Sequence, residues 1–163
     1  MKHTISILVE NHAGVLSRIS GLFARRGFNI DSLAVGITDD PAVSRITIVV
    51  DGNDATVEQV EKQLNKLIDV IKLRRLSDGG TISRELMLLK VQCTEKTRGD
   101  IMDVVRVMDA KVSDISKTTL TVEISDTTER LEIIGELLKP FGILEVVRTG
   151  TIALEKGAGV IRA

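Results

Sequence analysis

The amino-acid sequence predicts an α+β protein built from two tandem βαββαβ modules. Three observations carry this. The hydrophobic period switches repeatedly between two, the signature of strands, and about 3.6, the signature of helices. The same order of elements is written twice along the chain. The apolar 43% is drawn almost wholly from aliphatic residues, with no Trp, no Tyr and three Phe, which suits strands and helices packed in two layers.

In the first half, Ile5, Ile7 and Val9 alternate with Thr4, Ser6 and Leu8 as a strand. Val15, Leu16, Ile19, Leu22 and Phe23 then fall on one helical face. Arg25 and Arg26 close that helix where cations suit the dipole, and Gly27 stops it. Leu33, Val35 and Ile37 form the next strand, Asp39-Asp40-Pro41 a turn, and Ile46, Ile48 and Val50 the returning strand. Thr56 and Gln59 are spaced as a capping box ahead of Val57, Val60, Leu64 and Leu67, and Val70–Leu76 completes the module.

The second half repeats this order. Leu86–Thr94 reads as a strand, and Ile101, Val104, Val105 and Met108 as a helical face. Strands follow over Val112–Ser116 and Leu120–Ser125, then a helix carrying Leu131, Ile134, Leu137 and Leu138, ended by Pro140, then a strand over Ile143–Thr149. Sliding the chain so that Glu10 falls on Glu95 also places Gly14 on Gly99 and Leu16 on Ile101. The expected organisation is residues 1–77, a linker over 78–84 around Gly79-Gly80, and residues 85–163.

Two such units imply two ferredoxin-like sandwiches, each an antiparallel sheet with helices on one face. One module alone is small for a stable domain, and each leaves strand edges uncovered. Both points favour a homodimer, with a site at the strand-to-helix turn falling in the subunit interface.

Charge and composition exclude several classes. Lys plus Arg number 22 against 23 Asp plus Glu, so no basic excess points to nucleic acid. One cysteine, Cys93, rules out an intrachain disulfide or a four-cysteine cluster, and fits a reducing cytoplasm. No apolar run is long enough to span a bilayer, and the N-terminus enters a strand pattern directly, so a cytoplasmic protein is expected. No Gly-x-Ser-x-Gly, phosphate-loop, paired-cysteine or His-Glu-x-x-His pattern is present, and the two histidines, His3 and His12, lie far from Cys93 in sequence. A catalytic site is not expected, nor is a metal site; Asp39 and Asp40 are turn residues. Cys93, Met87, Met102 and Met108 are assigned to the core, and Gly157 with Gly159 to a mobile end.

The stretch Val9–Ile30 holds the candidate site. A strand runs into Asn11 and Gly14, a helix starts at once, and Asn29 opens the next strand. A helix N-terminus offers unpaired N–H groups and a partial positive charge to small anions such as carboxylates. Gly14 allows close approach to the backbone, and two asparagine amides can sort the donors and acceptors of an amino acid. Asn29 is expected beside the first strand-helix loop. The second module has Lys96 at the place that the Glu10–Glu95 superposition gives to Asn11, so it keeps the scaffold without the site.

Val-Glu-Asn-His-Ala-Gly-Val-Leu-Ser-Arg at 9–18 and Arg-Gly-Phe-Asn-Ile-Asp-Ser-Leu at 26–33 resemble the ACT domain of acetolactate synthase (acetohydroxyacid synthase) small regulatory subunits. So do Thr-Asp-Asp-Pro at 38–41, Ser-Arg-Ile-Thr at 44–47, Ser-Arg-Glu-Leu at 83–86 and Arg-Thr-Gly-Thr-Ile-Ala-Leu at 148–154. The resemblance covers essentially the whole chain. It implies a non-catalytic subunit that activates a large catalytic partner and confers feedback inhibition by valine or another branched-chain amino acid. The partner would carry thiamine diphosphate, magnesium and FAD, with no cofactor in this chain. Effector sites in this family lie at an ACT dimer interface, and matching carries over Asn11, Gly14 and Asn29, with Ala13, Val15, Leu16 and Ile30 around them. A free-standing ACT-type sensor controlling another enzyme or a transcription factor is the alternative.

Overall fold

The computed structural model describes residues 1–163. Two compact units emerge, Met1–Ile82 together with Thr151–Ala163, and Ser83–Gly150. No helix is long and apolar enough to cross a membrane.

The first unit follows the predicted order: β1 (Lys2–Glu10), α1 (Val15–Arg26), β2 (Ile30–Ile37), β3 (Val43–Asp51), α2 (Asp54–Asn65) and β4 (Val70–Leu76). The sheet order is β2-β3-β1-β4, antiparallel throughout, so β2 and β4 are the edges. Ile5, Ile7 and Val9 of β1 meet Ile46, Ile48 and Val50 of β3 beneath Val15, Ile19, Leu22 and Phe23 of α1 and Val57, Val60 and Leu64 of α2. Leu16, expected on that helical face, is 42% exposed. Gly27 ends α1 in the left-handed conformation (φ 68°), with the Gly27 N–H bonded to Ala24 O and the Phe28 N–H to Phe23 O. At α2 the cap is Asn53, whose Oδ1 accepts from the Thr56 N–H at 2.8 Å, in place of the expected Thr56–Gln59 box. Asp40 is committed to the β2–β3 turn, accepting from the Ala42 N–H through Oδ1 and from the Val43 N–H through its carbonyl.

The second unit repeats the plan with β5 (Thr81–Gln92), α3 (Arg98–Val107), β6 (Lys111–Ile115), β7 (Thr119–Asp126), α4 (Thr128–Leu138) and β8 (Ile143–Arg148), in sheet order β6-β7-β5-β8. Met87, Leu89 and Val91 pack under Ile101 and Val105 of α3 and Leu131, Ile134 and Leu138 of α4, with Met108 and Cys93 also buried. Leu137, expected on the α4 face, is 44% exposed. Where α1 ends on Gly27, α3 ends on Asp109 at φ 55°, the one non-glycine residue with positive φ, followed by an Ala110 N–H to Val105 O bond.

The equivalence between the units differs from the one read along the sequence. Glu10 N–H binds Asp69 O and Asn11 N–H binds Ala42 O; in the second unit Gln92 N–H binds Gly142 O and Cys93 N–H binds Thr118 O. Both central strands carry a register shift at matching places, Leu8/Val9 and Lys90/Val91. Glu10 therefore corresponds to Gln92 and Asn11 to Cys93, not to Glu95 and Lys96. The second unit still lacks the candidate asparagine.

Within residues 78–84, Asp78–Gly80 forms a single 3-10 turn and β5 begins at Thr81. One further expectation changes. The end of the chain is held rather than free, and it belongs to the first unit. A strand, β9 (Ile152–Glu155), pairs with β5, and the Lys156 N–H binds Gly80 O at 2.8 Å. Arg45 Nη2 donates to Ala153 O at 2.8 Å, and Arg74 Nη1 donates to Glu155 and to Val160 O at 3.1 Å. Arg45 and Arg74 lie on the sheet face opposite the helices, since their register partners Leu8 and Ser6 alternate with the core residues of β1.

Candidate functional site

The loop between β1 and α1 is a tight bend. Asn11 is anchored twice to the β2–β3 turn, its N–H on Ala42 O and its Nδ2 on Pro41 O, both at 2.8 Å. Its Oδ1 makes no hydrogen bond within the chain. Ala13 is exposed, and Gly14 adopts φ 88°, a left-handed conformation that costs a side chain strain. Gly14 is the N-cap of α1, and no side chain caps the helix and no acidic residue occupies its first turn. The first N–H groups of α1 are thus left for an external acceptor, whereas α2 and α4 use Asn53 and Thr127 as caps. Val15 is buried and anchors the helix; Leu16 stands exposed beside the bend.

Asn29 and Ile30 are elsewhere. Glu10 pairs with Val43 at one end of β3, whereas Ile30 pairs with Val50 at the other. The two places are separated along the sheet by about 20 Å at the usual strand rise. The expectation that Asn29 lies beside the first strand-helix loop is therefore corrected. The reason is directional: α1 returns the chain to the end of the sheet where β1 began. Asn29 is exposed and its side chain makes no hydrogen bond within the chain, and Ile30 is half-buried against the core.

The structure adds residues that the sequence reading passed over. Asp69, in the turn between α2 and β4, is buried with 4% exposure beneath the bend. Arg18 Nε donates to its Oδ2 at 2.5 Å, and His12 Nε2 lies 3.1 Å from its Oδ1 and 3.0 Å from Glu10 Oε2. His12 Nδ1 is 3.3 Å from Ala13 O, so both ring nitrogens face oxygen acceptors, the arrangement of an imidazolium. The Ala13 carbonyl and the Glu10 carboxylate raise the His12 pKa above its ordinary value. The Arg18 hydrogen bond holds the Asp69 carboxyl below the usual range against the opposing effect of burial, and Asp69 in turn raises Arg18.

Glu10, His12 and Asp69 place one donor atom each within 4.8 Å of one another, a set of the type that can hold a cation. Here those donors are taken up internally, with two carboxylates facing His12 and Arg18. Among side chains near the bend, no nucleophile is paired with a base. In the sequence, only the proximity of His12 to Glu10 and of Arg18 to Gly14 hinted at this cluster; Asp69 is brought in by the fold alone.

Comparison with known proteins agrees with this architecture. Residues 5–72 match the AHAS small subunit-like ACT domain, and residues 84–157 match a family described as the small subunit of acetolactate synthase. The chain is 48% identical to the acetolactate synthase small subunit of Mycolicibacterium smegmatis, over 95% of this chain and 91% of that protein. It is 44% identical to a probable acetolactate synthase small subunit of Archaeoglobus fulgidus, over 96% and 98%. The crystal structure of the Thermotoga maritima small subunit superimposes with a TM-score of 0.91 at 35% identity, covering 98% of this chain and 99% of that one. With both modules matched in order and nearly full length covered on each side, the chain belongs to the acetolactate synthase small-subunit family.

Proposed function

We propose that this chain is the non-catalytic regulatory subunit of a cytoplasmic acetolactate synthase. In this reading it binds a large catalytic subunit, raises its activity and makes it sensitive to valine or a related branched-chain amino acid. Thiamine diphosphate, magnesium and FAD would reside in the large subunit. The observation that supports an amino-acid site is the uncapped start of α1 behind a left-handed Gly14.

The effector carboxylate would sit on the N–H groups of Val15 and Leu16, a favourable contribution of about 0.3–1 kcal/mol, rising to about 2 where partly buried. The free Oδ1 of Asn11 would accept from the ammonium group. The aliphatic side chain would pack near Ile30 of the partner subunit. Each methylene there is worth about 1–3 kcal/mol, so the three branched-chain amino acids would be separated only modestly.

Because Asn29 stands at the far end of its own sheet, the site needs a second copy. The edge strand β2 pairs only with β3 and exposes Val35 and Ile37. Ile37 pairs with Ser44, which pairs with Val9, so the end of β2 lies at the same end of the sheet as the Gly14 bend. A two-fold axis that pairs β2 with its equivalent antiparallel would bring Asn29 of the partner subunit to that end. One protomer would then supply the bend and the other the second carboxamide.

Calorimetric titration with valine, leucine and isoleucine tests this, comparing the native chain with Asn11→Ala and Gly14→Asp. Binding by the native chain and its loss in both variants is expected. No uptake of any of the three would overturn the sensor reading, and unchanged binding by the variants would overturn the site.

A further inference from the structure

Asp69 lies outside the bend, yet it is tied to both of its arms. Its backbone carbonyl accepts from the Glu10 N–H at 3.0 Å, at the end of β1. Its carboxylate receives Arg18 on the first turn of α1 and His12 in the middle of the bend. The Arg18 side chain in turn lies over Gly14, with Nη1 3.1 Å from where a Cβ on Gly14 would stand. The bend is therefore spanned by a network whose central acceptor is buried, and the only titratable link near neutral pH is His12.

We propose that Asp69 is the positioning residue of the effector site, holding the Gly14 bend through Arg18 and a protonated His12, so that effector affinity follows the charge on His12. This rests on the effector reading given above and extends it to residues that touch no ligand. The groups facing His12 are Glu10 from β1, Asp69 from the α2–β4 turn and Arg18 from α1, the last through Asp69. The two carboxylates need the imidazolium to balance them, because Arg18 alone can compensate only one. When His12 loses its proton, one nitrogen turns a lone pair towards an oxygen, Glu10 and Asp69 repel each other across it, and the bend loses a tie on its own loop. A bend free to leave the left-handed geometry binds its effector less tightly, since only the population in the competent shape contributes to affinity.

The test is calorimetric titration with valine on the full chain between about pH 6 and pH 8.5, running upward from the ordinary histidine value of about 6.5. Native protein should bind more weakly at the alkaline end by about fivefold or more, within the usual range for coupling between sites. His12→Lys keeps a cation between the carboxylates without titrating in that window, and it should bind valine at native acidic-side affinity with the pH step abolished. Asp69→Asn should weaken binding at both ends and flatten the step, while circular dichroism reports whether it folds. A loss of affinity from general destabilisation would leave the pH step in place, so the step separates positioning from mere stability. Native binding with no pH step, together with native affinity in Asp69→Asn, overturns the inference while leaving the effector reading intact. Absence of valine binding by the native chain at every pH overturns both.

Discussion

Arg148 grips Glu85 with two parallel hydrogen bonds, Nε to Oε1 at 2.9 Å and Nη2 to Oε2 at 2.8 Å. Glu85 is buried at 6% exposure and Thr128 at the start of α4 also reaches its Oε2, so the pair ties β5, β8 and α4 together. The same places in the first unit hold His3 and Arg75: His3 Nδ1 lies 2.7 Å from Arg75 Nη2, and its Nε2 faces Gly52 O. One fold position is thus satisfied by an ion pair in one unit and by an imidazole beside an arginine in the other.

The Glu85–Arg148 pair gives the first prediction. Glu85→Ala should destabilise the second unit by about 1–3 kcal/mol, moderated because Arg148 keeps some contact with water. Replacing both residues with leucine should recover most of that loss, because a buried pair is exchangeable for apolar packing when no charge is left alone. Urea unfolding of the three chains measures it; a double variant no better than Glu85→Ala would contradict the account.

Stability should depend on pH at both ends. Asp51, Asp54 and Asp69 are held below their ordinary pKa by the N-terminal ammonium, Arg75 and Arg18 respectively. A depressed carboxyl contributes stability above its unfolded value and loses it as pH falls, so the melting temperature should drop below about pH 5. His12 is shifted the other way. Its contribution is complete below the unfolded value of about 6.5 and fades as pH rises through the folded one. Calorimetric scans should therefore show a maximum at mildly acidic pH, and His12→Lys should remove the alkaline decline but not the acidic one. A flat profile in the native chain would contradict both assignments.

Much of this architecture was legible because burial repeats with a fixed period. Ile5, Ile7 and Val9, then Val15, Ile19, Leu22 and Phe23, point to the core as their spacing predicts. What escaped did so for local reasons. In β9 the pattern is inverted: Ile152 and Leu154 are more than half exposed while Ala153 is buried, so the strand resembles a tail. The repeat was misaligned because its matched residues lie in different elements, Glu10 at the end of β1 against Glu95 in a turn and Gly14 in the bend against Gly99 inside α3, whereas the true equivalence lies in strand register. Asn29 was misplaced because proximity in sequence hides the direction in which α1 returns. Asp69 could not be found at all without the turn that carries it under the bend.

The held tail changes how the two modules should be separated. A chain ending at Ser77 would lose Ala153 and Glu155, leaving Arg45 and Arg74 unpaired on a face that also carries buried Leu8, Thr47 and Val49. It should aggregate or melt well below the native chain. A variant joining residues 1–82 to 151–163 through a flexible Gly/Ser linker keeps those contacts and should melt cooperatively. With the catalytic subunit added, that variant is expected to bind valine yet fail to transmit inhibition, since the second unit is missing. Full valine sensitivity in its presence would contradict a transmitting role for residues 83–150.

A site shared between two copies also predicts complementation. Asn11→Ala and Asn29→Ala should each abolish valine binding, because in either homodimer every site lacks one carboxamide. Unfolded together and refolded as a mixture, random pairing gives mixed dimers in which one site carries both changes and the other carries neither. About a quarter of all sites are then native, a proportion fixed by two-fold symmetry alone. Titration of the mixture should recover valine binding at native affinity with that reduced stoichiometry. A site confined to one protomer would recover nothing on mixing, because each chain would keep its own defect whatever it paired with. The two readings differ in a measured stoichiometry rather than in an affinity, so partial misfolding of either variant could lower the recovered fraction but could not create native sites where none exist.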